Sequence, residues 1–550
     1  MSKHLWKPSN AFPSLKDREA YIFKDFNGPY TISSSYKIKN LDKVSEMIKE
    51  FIKNELPIRI IGDYDVDGMT STSELVLTTT NLGCKDVDYY LPKRFSDGYG
   101  ISVDILERFL PETPGLLITV DNGIAAPEAF VYAKNKGWKT IILDHHPITG
   151  EVASADIIID PNALPGTASF TGYCAAGLVY KLAQSMPELD ETTMAKVTSL
   201  AALGTICDAV PLIEKSGDKF VYDNYLLVKE GLHTILQNNG RTTGLYCLLR
   251  MLNKDIVINE DDLGFIVGPV MNAMSRMQDD GADVVVKLLL MDSNNFNACD
   301  EIARLLIENN DNRKEIERTI EPMLFAQIEA NGWENDYPIV ISGDIPQGLV
   351  GLVAAKVSDK YNTSAIVFTN EEIMHGSARS PKGTDIKSAL DKCASLIKGY
   401  GGHKQAAGVS INSSVINEFR AAMQKASGKK PDFLRYREYD FEISTSDISN
   451  EINELKNHGP YGEGHFKPTY KVKNFICKKV RDSFYNVLGS TKETLKLNGH
   501  YANAICFKGA VDQYVKDGCP LRVNVYGHLS TNTWNGKTEN QILFNEYEKV

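Results

Sequence analysis

Aspartate and histidine residues recur directly after apolar segments in the first half of the chain. Three of them, Asp63, Asp65 and Asp67, occupy alternate positions after the apolar run Ile58–Ile61. Alternate side chains of an extended segment point the same way, so these carboxylates are expected to converge at the end of a strand. Crowded carboxylates repel one another unless a cation neutralises them. The spacing therefore predicts a divalent-cation site.

Further candidate ligands follow three more segments. They are Asp121 after GLLITV, the sequence Asp144-His145-His146 after KTIIL, and Asp208 after a run of small residues. Taken singly, Asp121 also fits a helix cap, His145 a core histidine and Asp208 a turn. Taken together they supply carboxylate and imidazole ligands, a set that suits Mn²⁺ or Mg²⁺ better than a structural zinc.

Two other interpretations of the first cluster remain open from the residues alone. An EF-hand loop also places acids at alternate positions, and Glu74 stands twelfth when Asp63 is counted as the first. The apolar strand before Asp63 disagrees with a helix–loop–helix motif. The second alternative is an Asp-rich turn with a purely structural role.

The pattern of apolar residues predicts an α/β protein. Strands alternate with helices over residues 41–212, which indicates a parallel sheet whose carboxyl strand ends collect the ligands. Residues 284–332 read as one long or slightly broken helix, and a second α/β segment covers 337–427. Short strands after a linker at 428–433 indicate a small antiparallel barrel.

Composition sets wider bounds. The net charge of −11 is unevenly spread, because residues 431–550 hold 16 Lys and Arg against 15 Asp and Glu, which leaves −12 on the rest. Overall acidity is a weak objection to nucleic-acid binding, since a local basic groove suffices. The nine cysteines are dispersed without a CxxC pair, which argues against a disulfide framework. Without an apolar run long enough for a membrane or a secretory signal, a cytoplasmic location is expected.

The motifs DYDVDG, VDNG, DHH and GTICDAVPL, in this order, resemble those of the DHH phosphoesterase superfamily. The resemblance implies two divalent metal ions, with Mn²⁺ preferred and Mg²⁺ as the alternative. It implies a bridging role for Asp121, a position facing the substrate phosphate for His146, and an orienting role for Asp144. The implied metal ligands are Asp63, Asp65, Asp67, Asp121, His145 and Asp208. Two such ions would activate water and neutralise charge on the phosphoryl group.

Other segments resemble the RecJ-type exonucleases within that superfamily. The segment YLPKRFSDGYGIS supplies Arg94 as a candidate phosphate contact. The segment VGPVMNAMSRM is similar to the family's Pro-Arg-Ile-Asn-Ala-Ala-Gly-Arg stretch, with Asn272 and Arg276 matching. Val270 stands where the family has arginine, which removes one expected contact.

The second α/β segment resembles the DHHA1 domain. GSARSPKGTDIKSAL and GYGGHKQAAGVSI contain the residues that this resemblance places around the substrate phosphate, which are Ser377, Arg379, Gly401, Gly402 and His403. Glycines let backbone N–H groups approach an anion. Here too the chain departs from the family, because Ile345-Pro346-Gln347-Gly348 replaces Trp-His-Pro-Gly and a histidine is missing.

The C-terminal segment resembles the OB-fold domain of RecJ-type enzymes. HGPYGEGHFKPTYKV matches its beginning and NTWNGKTENQILF its last hairpin. Basic residues interleaved with aromatics suit a single-stranded nucleic acid, because cations follow phosphates and rings stack on bases. Most of these aromatics are expected in the barrel core. The predicted DNA path comprises Lys471, Lys473, Lys478, Lys479 and Arg481.

Together these resemblances predict five regions. They are an N-terminal arm (1–40), a DHH catalytic domain with a parallel sheet (41–230), a helical connector (231–335), a smaller α/β DHHA1 domain (336–428) and a β-barrel OB-fold domain (429–550). The implied activity is 5′→3′ exonucleolytic hydrolysis of single-stranded DNA in repair and recombination. The implied setting is a monomer that works with a single-strand-binding protein and a helicase, away from membranes.

Two alternatives remain. The chain could be a DHH hydrolase of short RNA or cyclic dinucleotides, or a scaffold that binds DNA in repair or replication without catalysis. Relatives of the second kind lose metal ligands, whereas all of the expected ligand positions are filled here.

Overall fold

A computed structural model describes residues 5–26, 38–148, 150–480, 483–489, 492–507, 510–534 and 537–550. The chain divides into two compact units. The first is formed by residues 38–216 and 221–434, and the second by 5–26, 217–220 and 435–550. Within these described ranges, no helix is long and apolar enough to cross a membrane.

A five-stranded, wholly parallel sheet carries the candidate ligands. Its strands lie in the order Val87–Tyr90, Ile58–Ile61, Leu116–Val120, Lys139–Leu143 and Ile157–Ile159. The three central strands are buried almost throughout, as expected for a parallel sheet covered by helices. The helices of this region are Leu41–Lys53, Val66–Asn81, Val103–Phe109, Pro127–Asn135, Ala175–Gln184 and Glu191–Cys207. The predicted parallel sheet is confirmed.

Helices continue through the connector. They are Asp223–Thr234, Thr243–Met251, Glu260–Asp262, Gly268–Met277, Gly281–Leu290 and Phe296–Ala330, with a π-helical turn at Leu263–Val267. The helix predicted at 284–332 is therefore broken into two. Asp292 causes the break, because its side chain accepts a hydrogen bond from the N–H of Asn294 and caps a short 3₁₀ turn before Phe296.

A second five-stranded sheet forms the smaller α/β region. Its order is Gly399–Gly402, Ala406–Asn412, Ile373–Arg379, Ala365–Phe368 and Ile339–Ser342, and only the last pair is parallel. The accompanying helices are Val350–Tyr361, Ile386–Lys392 and Ile416–Ser427. The glycine-rich strand Gly399–Gly402 lies at one edge of this sheet.

The second unit is built on a seven-stranded sheet. The strand order is Phe441–Ser444, Tyr470–Ile476, Arg522–Trp534, Lys537–Lys549, Asn503–Cys506, Thr494–Leu497 and Tyr485–Leu488. The expected antiparallel barrel is corrected in two places, because the first strand pairs parallel with the second, and the fourth pairs parallel with the fifth. The helices Ile448–His458 and Val511–Lys516 pack on this sheet.

The N-terminal segment belongs to this second unit. Leu5–Pro8 pairs parallel with Tyr436–Tyr439, and the helix Leu15–Ile22 follows. Glu19 on that helix is fully buried, with Oε2 2.9 Å from Nε2 of His465. Residues 5–26 of the predicted arm are thus fixed by strand pairing and by a buried hydrogen bond.

Candidate active site

The carboxyl ends of three neighbouring strands and the C-terminal end of the helix Glu191–Cys207 bring the predicted ligands together. Three groups have ligand atoms within 4.8 Å of one another: Asp63, Asp65 and Asp121; Asp67, His145 and Asp208; and Asp121, His145 and His146. Asp121 and His145 each belong to two of these groups. This overlap gives two adjacent positions for cations rather than one.

Two of the first three aspartates, Asp65 and Asp67, are held by the N-terminal ends of helices. The Asp65 side chain caps this helix by accepting hydrogen bonds from the N–H groups of Asp67 and Gly68. Asp67 is held from a distant part of the chain, because its carboxylate accepts from the N–H groups of Ala175 (2.7 Å) and Ala176 (2.9 Å). These N–H groups begin another helix, whose N-terminus favours a negative charge.

Asp121 has an unusual backbone. Its φ of 63° lies in the left-handed region, which costs free energy for a residue with a Cβ and turns the chain sharply after the strand. The next residue, Asn122, secures the turn by donating from Nδ2 to the carbonyls of Gly62 and Val120, both at 2.9 Å. Asp121 therefore caps no helix and presents its carboxylate at the strand end.

The two histidines have different surroundings. Nε2 of His145 lies 3.1 Å from Asp121, 3.6 Å from Asp208 and 3.7 Å from a carboxylate oxygen of Asp67. His146 instead has Nδ1 2.8 Å from Oδ1 of Asp144. Asp144 also accepts from the N–H groups of both histidines, so one buried carboxylate orients the whole pair.

Burial and crowding act strongly on the titration of these groups. Burial, reinforced by Asp65, raises the pKa of Asp63 to about 8. Burial and the neighbouring carboxylates likewise raise the pKa of Asp121 and Asp208 well above the ordinary range. Burial lowers the pKa of His145, which favours the neutral ring that ligates metals.

The donor set therefore fits divalent metal ions. Carboxylates held at these distances repel one another, and protein cations do not offset the repulsion enough to restore an ordinary pKa. Oδ1 of Asp63 is buried without a hydrogen-bond partner among the described residues. An unsatisfied acceptor of this kind is expected where a cation binds.

Arginines lie beside the carboxylate cluster. Arg94 stacks on Tyr64, with its guanidinium carbon 3.8 Å from the ring centroid. Burial, together with Arg94 and Arg379, lowers the pKa of Arg276 to about 10, against the attraction of Asp65. A group of arginines close enough to lower the pKa of one member, Arg276, implies a pocket that accepts an anion.

The second α/β region belongs to the same compact unit as the parallel sheet. It contains the other residues that were predicted to bind the substrate phosphate. Arg379 donates to Oγ of Ser377 at 2.7 Å. Gly402 has a φ of 134°, which favours glycine, and Gly401 beside it is exposed. Burial lowers the pKa of His403, and the charge of His146 lowers it further. The glycine-rich strand thus lies within electrostatic range of the histidine pair.

The two departures from the family motifs, at Val270 and Pro346, lie in different surroundings. Val270 is 2% exposed inside an apolar cluster, so its side chain takes no part in the pocket. Pro346 precedes Gly348, whose carbonyl accepts from Arg276 at 3.3 Å. A Cβ on Gly348 would lie 2.0 Å from the carbonyl oxygen of Arg276, which explains why glycine is required there.

The predicted DNA path lies in the second unit. Lys471 and Lys473 both form ion pairs with Glu442, at 3.5 and 2.7 Å. The backbone N–H of Lys478 donates to Asn498, and Lys479 adjoins it on the same segment. Arg481 lies outside the described residues. Of the nearby aromatics, Tyr470 and Phe475 are buried and Tyr485 is half-buried, so two of the three belong to the core.

Two contacts that tyrosines make with predicted site residues were not predicted from the sequence. Tyr99 Oη lies 3.2 Å from Nε2 of His146, and Tyr64 supports Arg94. Both residues lie in motifs that were identified for their charged residues alone. The EF-hand alternative is wrong, because a strand precedes Asp63 and the helix Val66–Asn81 already begins at the fourth position of the supposed loop.

Family models match three parts of the chain. The DHH family N-terminal domain matches residues 57–205, the DHHA1 domain 336–429, and the RecJ OB domain 439–546. Each match falls on a region described above: the parallel sheet, the mixed sheet and the seven-stranded sheet. These matches confirm the predicted domain types.

The fold is that of solved RecJ structures. A manganese complex of RecJ from Thermus thermophilus matches with a TM-score of 0.79 at 22% identity, covering 99% of this chain and 80% of that one. A second structure, of exonuclease RecJ bound to manganese, matches with a TM-score of 0.62 at 26% identity, covering 74% and 98%.

Curated relatives agree with this match. Three proteins named single-stranded-DNA-specific exonuclease RecJ are similar along most of this chain. The Bacillus subtilis protein is 30% identical over 93% of this chain, which spans 64% of that relative's length, or less than two thirds. The Haemophilus influenzae protein is 29% identical (94% of this chain, 91% of the relative) and the Dickeya dadantii protein 30% identical (77% and 76%). The chain therefore belongs to the RecJ family of single-stranded-DNA-specific exonucleases.

Proposed function

We propose that this protein is a metal-dependent exonuclease that hydrolyses phosphodiester bonds of single-stranded DNA. One observation carries the proposal: three groups of ligand atoms overlap at a single edge of the parallel sheet, with Asp121 in two of them and His145 in two, beside half-buried arginines that suit a phosphate. Two adjacent cation positions next to an anion pocket are what phosphodiester hydrolysis needs.

We assign the metal ligands to Asp63, Asp65, Asp67, Asp121, His145 and Asp208, with Asp121 shared between the two ions. The donors are hard oxygens with one neutral imidazole, which suits Mn²⁺ or Mg²⁺. When bound, the ions supply Lewis-acid stabilisation of phosphoryl charge and an activated water.

The remaining residues position the substrate. Asp144 holds Nδ1 of His146 at 2.8 Å. Nε2 of that ring, which lies 3.2 Å from Tyr99 Oη, is the atom that we assign to the substrate phosphate. Although burial opposes it, the bond from Asp144 raises the pKa of His146 to about 9, so the ring can donate a charged hydrogen bond. The phosphate pocket comprises Arg94, Arg276, Ser377, Arg379, Gly401, Gly402 and His403.

We also propose, by extension from the RecJ family, four finer features of this protein. They are 5′→3′ polarity with release of mononucleotides, a cytoplasmic location, a monomeric state, and cooperation with a single-strand-binding protein and a helicase in repair and recombination. The DNA path through the second unit is assigned to Lys471, Lys473, Lys478, Lys479 and Arg481.

A metal titration with single strands labelled at the 5′ or 3′ end tests the proposal. We expect Mn²⁺-dependent shortening from the 5′ end, faster on long single-stranded DNA than on RNA or a dinucleotide. Asp121→Asn serves as the inactive control. Preference for a dinucleotide or short RNA would establish the alternative hydrolase, whereas DNA binding without cleavage at any metal concentration would establish the scaffold.

A further inference from the structure

A stripe of half-buried and exposed side chains lies along the helical segment 260–277. From Leu263 to Ser275 most side chains are buried. Apart from Gly264 and Ile266, the positions that are not buried recur at intervals of three or four residues, the spacing of a single helix face. These positions are Phe265, Pro269, Asn272 and Arg276. Phe265 is 79% exposed, among the highest values for a large apolar residue in the described chain.

The backbone at Phe265 is specialised. Residues Leu263–Val267 form a π-helical turn in which the N–H of Gly268 donates to the carbonyl of Leu263. Pro269 accounts for this turn, because it has no N–H to donate to the carbonyl of Phe265. π-Helical turns are frequent at functional sites.

This turn packs against the end of the helix that presents Asp208. Sγ of Cys207 lies 3.6 Å from the carbonyl oxygen of Leu263. A Cβ added to Gly268 would lie 2.4 Å from the same sulfur. Phe265 is therefore held on backbone that contacts the residue directly before a proposed metal ligand.

The other end of the stripe enters the phosphate pocket. Arg276 is within electrostatic range of Asp65, Arg94 and Arg379. One turn before it, Oδ1 of Asn272 is buried without a hydrogen-bond partner among the described residues. The stripe thus passes from a cationic pocket through an unsatisfied amide to an exposed aromatic ring.

We infer that Phe265, beside Pro269, stacks on a base of the single strand whose terminal phosphate lies at Arg276. The inference rests on the proposed function and adds a base contact to it. At about 1.5 Å per residue, Phe265 lies roughly 16 Å along the helix from Arg276. A stacked strand rises about 3.4 Å per nucleotide, and an extended one more, so the contact falls within roughly the third to fifth nucleotide.

The charges near Phe265 favour a base over a phosphate. The segment begins with Glu260, Asp261 and Asp262, and the last of these forms an ion pair with Lys254. A strand with its phosphates against this acidic turn would be repelled. A strand with its bases toward the ring keeps its phosphates on the opposite side, and stacking tolerates any base.

An abasic-site scan tests the inference through binding, which is independent of cleavage. The probe is a fluorescent 5′-phosphorylated single strand with one abasic nucleotide placed at positions 2 to 8 in turn. Its Kd is measured by anisotropy with Mn²⁺ on the full chain carrying Asp121→Asn, so that the strand survives. Phe265→Ala and Phe265→Trp are added to this background. Ile256→Ala is the matched control, because Ile256 is also 79% exposed and lies outside the stripe.

We expect one abasic position between 3 and 5 to weaken binding about 5- to 150-fold with Phe265 present, the range of a single aromatic–base stack. That sensitivity should vanish with Phe265→Ala and persist with Phe265→Trp and Ile256→Ala. The inference is overturned if the abasic position weakens binding as much in the Phe265→Ala protein as with Phe265 present. It is also overturned if no abasic position weakens binding when Phe265 is present. Cleavage by the protein with native Asp121 is assayed separately. Base-dependent binding without cleavage would refute the exonuclease and keep the stacking contact.

Discussion

Oδ1 of Asp144 lies 2.8 Å from Nδ1 of His146 and also accepts a hydrogen bond from the N–H of that residue at 3.2 Å. Its other oxygen accepts from the N–H of Ile124 at 3.0 Å. Asp144 is completely buried, and so the ring of His146 is held by a carboxylate that is itself fixed from two sides. This arrangement directs the Nδ1 proton of His146 toward Asp144.

Asp144→Asn should lower kcat/KM for single-stranded DNA by about 10- to 100-fold, because such supporting carboxylates contribute that much to neighbouring ligands and imidazoles. Combined with His146→Ala, it should cost little more than the histidine change alone, since both act through one ring. Steady-state kinetics at saturating Mn²⁺ measures both. Asp156→Asn, at a strand end outside the cluster, is the matched control; additive losses in the double variant would contradict the coupling.

Replacement of Asp121 should separate charge from backbone strain. Asp121→Asn tolerates the left-handed φ of 63° and should remove hydrolysis. In the absence of metal its melting temperature should equal or exceed that of the native chain, because the amide replaces a carboxyl whose pKa is raised by burial and neighbouring carboxylates. Asp121→Ala should be equally inactive but less stable than Asp121→Asn by about 1 kcal/mol, because alanine resists this conformation. Cleavage assays and thermal unfolding without metal distinguish the two losses. Substantial activity in Asp121→Asn would refute the shared-ligand role.

The sequence predicted the parts of the site that depend on local order. Alternating apolar and helical segments placed Asp63, Asp121 and His145 at strand ends, and parallel topology brings such ends together. It could not predict that Ala175 and Ala176 would hold Asp67, because that contact joins segments 108 residues apart. It also missed the parallel pairings of the C-terminal sheet, since strand direction depends on connections that local residue pattern does not encode.

The lysines of the second unit should differ in their effect on DNA binding. Lys471 and Lys473 already share Glu442, so a phosphate would compete with an existing ion pair. Lys478→Ala should flatten the dependence of log Kd on log salt by about 0.7, the slope expected for one lost phosphate contact.

Lys473→Ala is the matched control and should change that slope less, because the ion pair of Lys473 with Glu442 competes with a phosphate. Anisotropy titrations of a labelled single strand from low to moderate salt give the slopes. The reverse ranking would move the DNA path toward Glu442.

Glu74 is a buried carboxyl of the catalytic region, and its ionisation would cost free energy in the folded state. It is fully buried on the helix Val66–Asn81, and both of its carboxylate oxygens are without hydrogen-bond partners among the described residues. Burial, with a smaller contribution from Asp67, raises its pKa well above the ordinary value near 4.5. The folded chain therefore holds Glu74 protonated at pH values where the unfolded chain would ionise it.

The sign of the linkage follows from this raised pKa. The folded state binds more protons at Glu74 than the unfolded state does. The contribution of Glu74 to the free energy of unfolding is therefore largest below about pH 4.5, and it falls as pH rises, by up to about 1.4 kcal/mol per pH unit until the folded pKa is reached. Glu74→Gln removes this loss, because the amide is neutral in both states. Its melting temperature should match the native chain near pH 4.5 and exceed it increasingly toward pH 8. The exposed Glu107→Gln serves as control, and parallel pH profiles for the native chain and Glu74→Gln would show that the buried carboxyl is ionised and compensated.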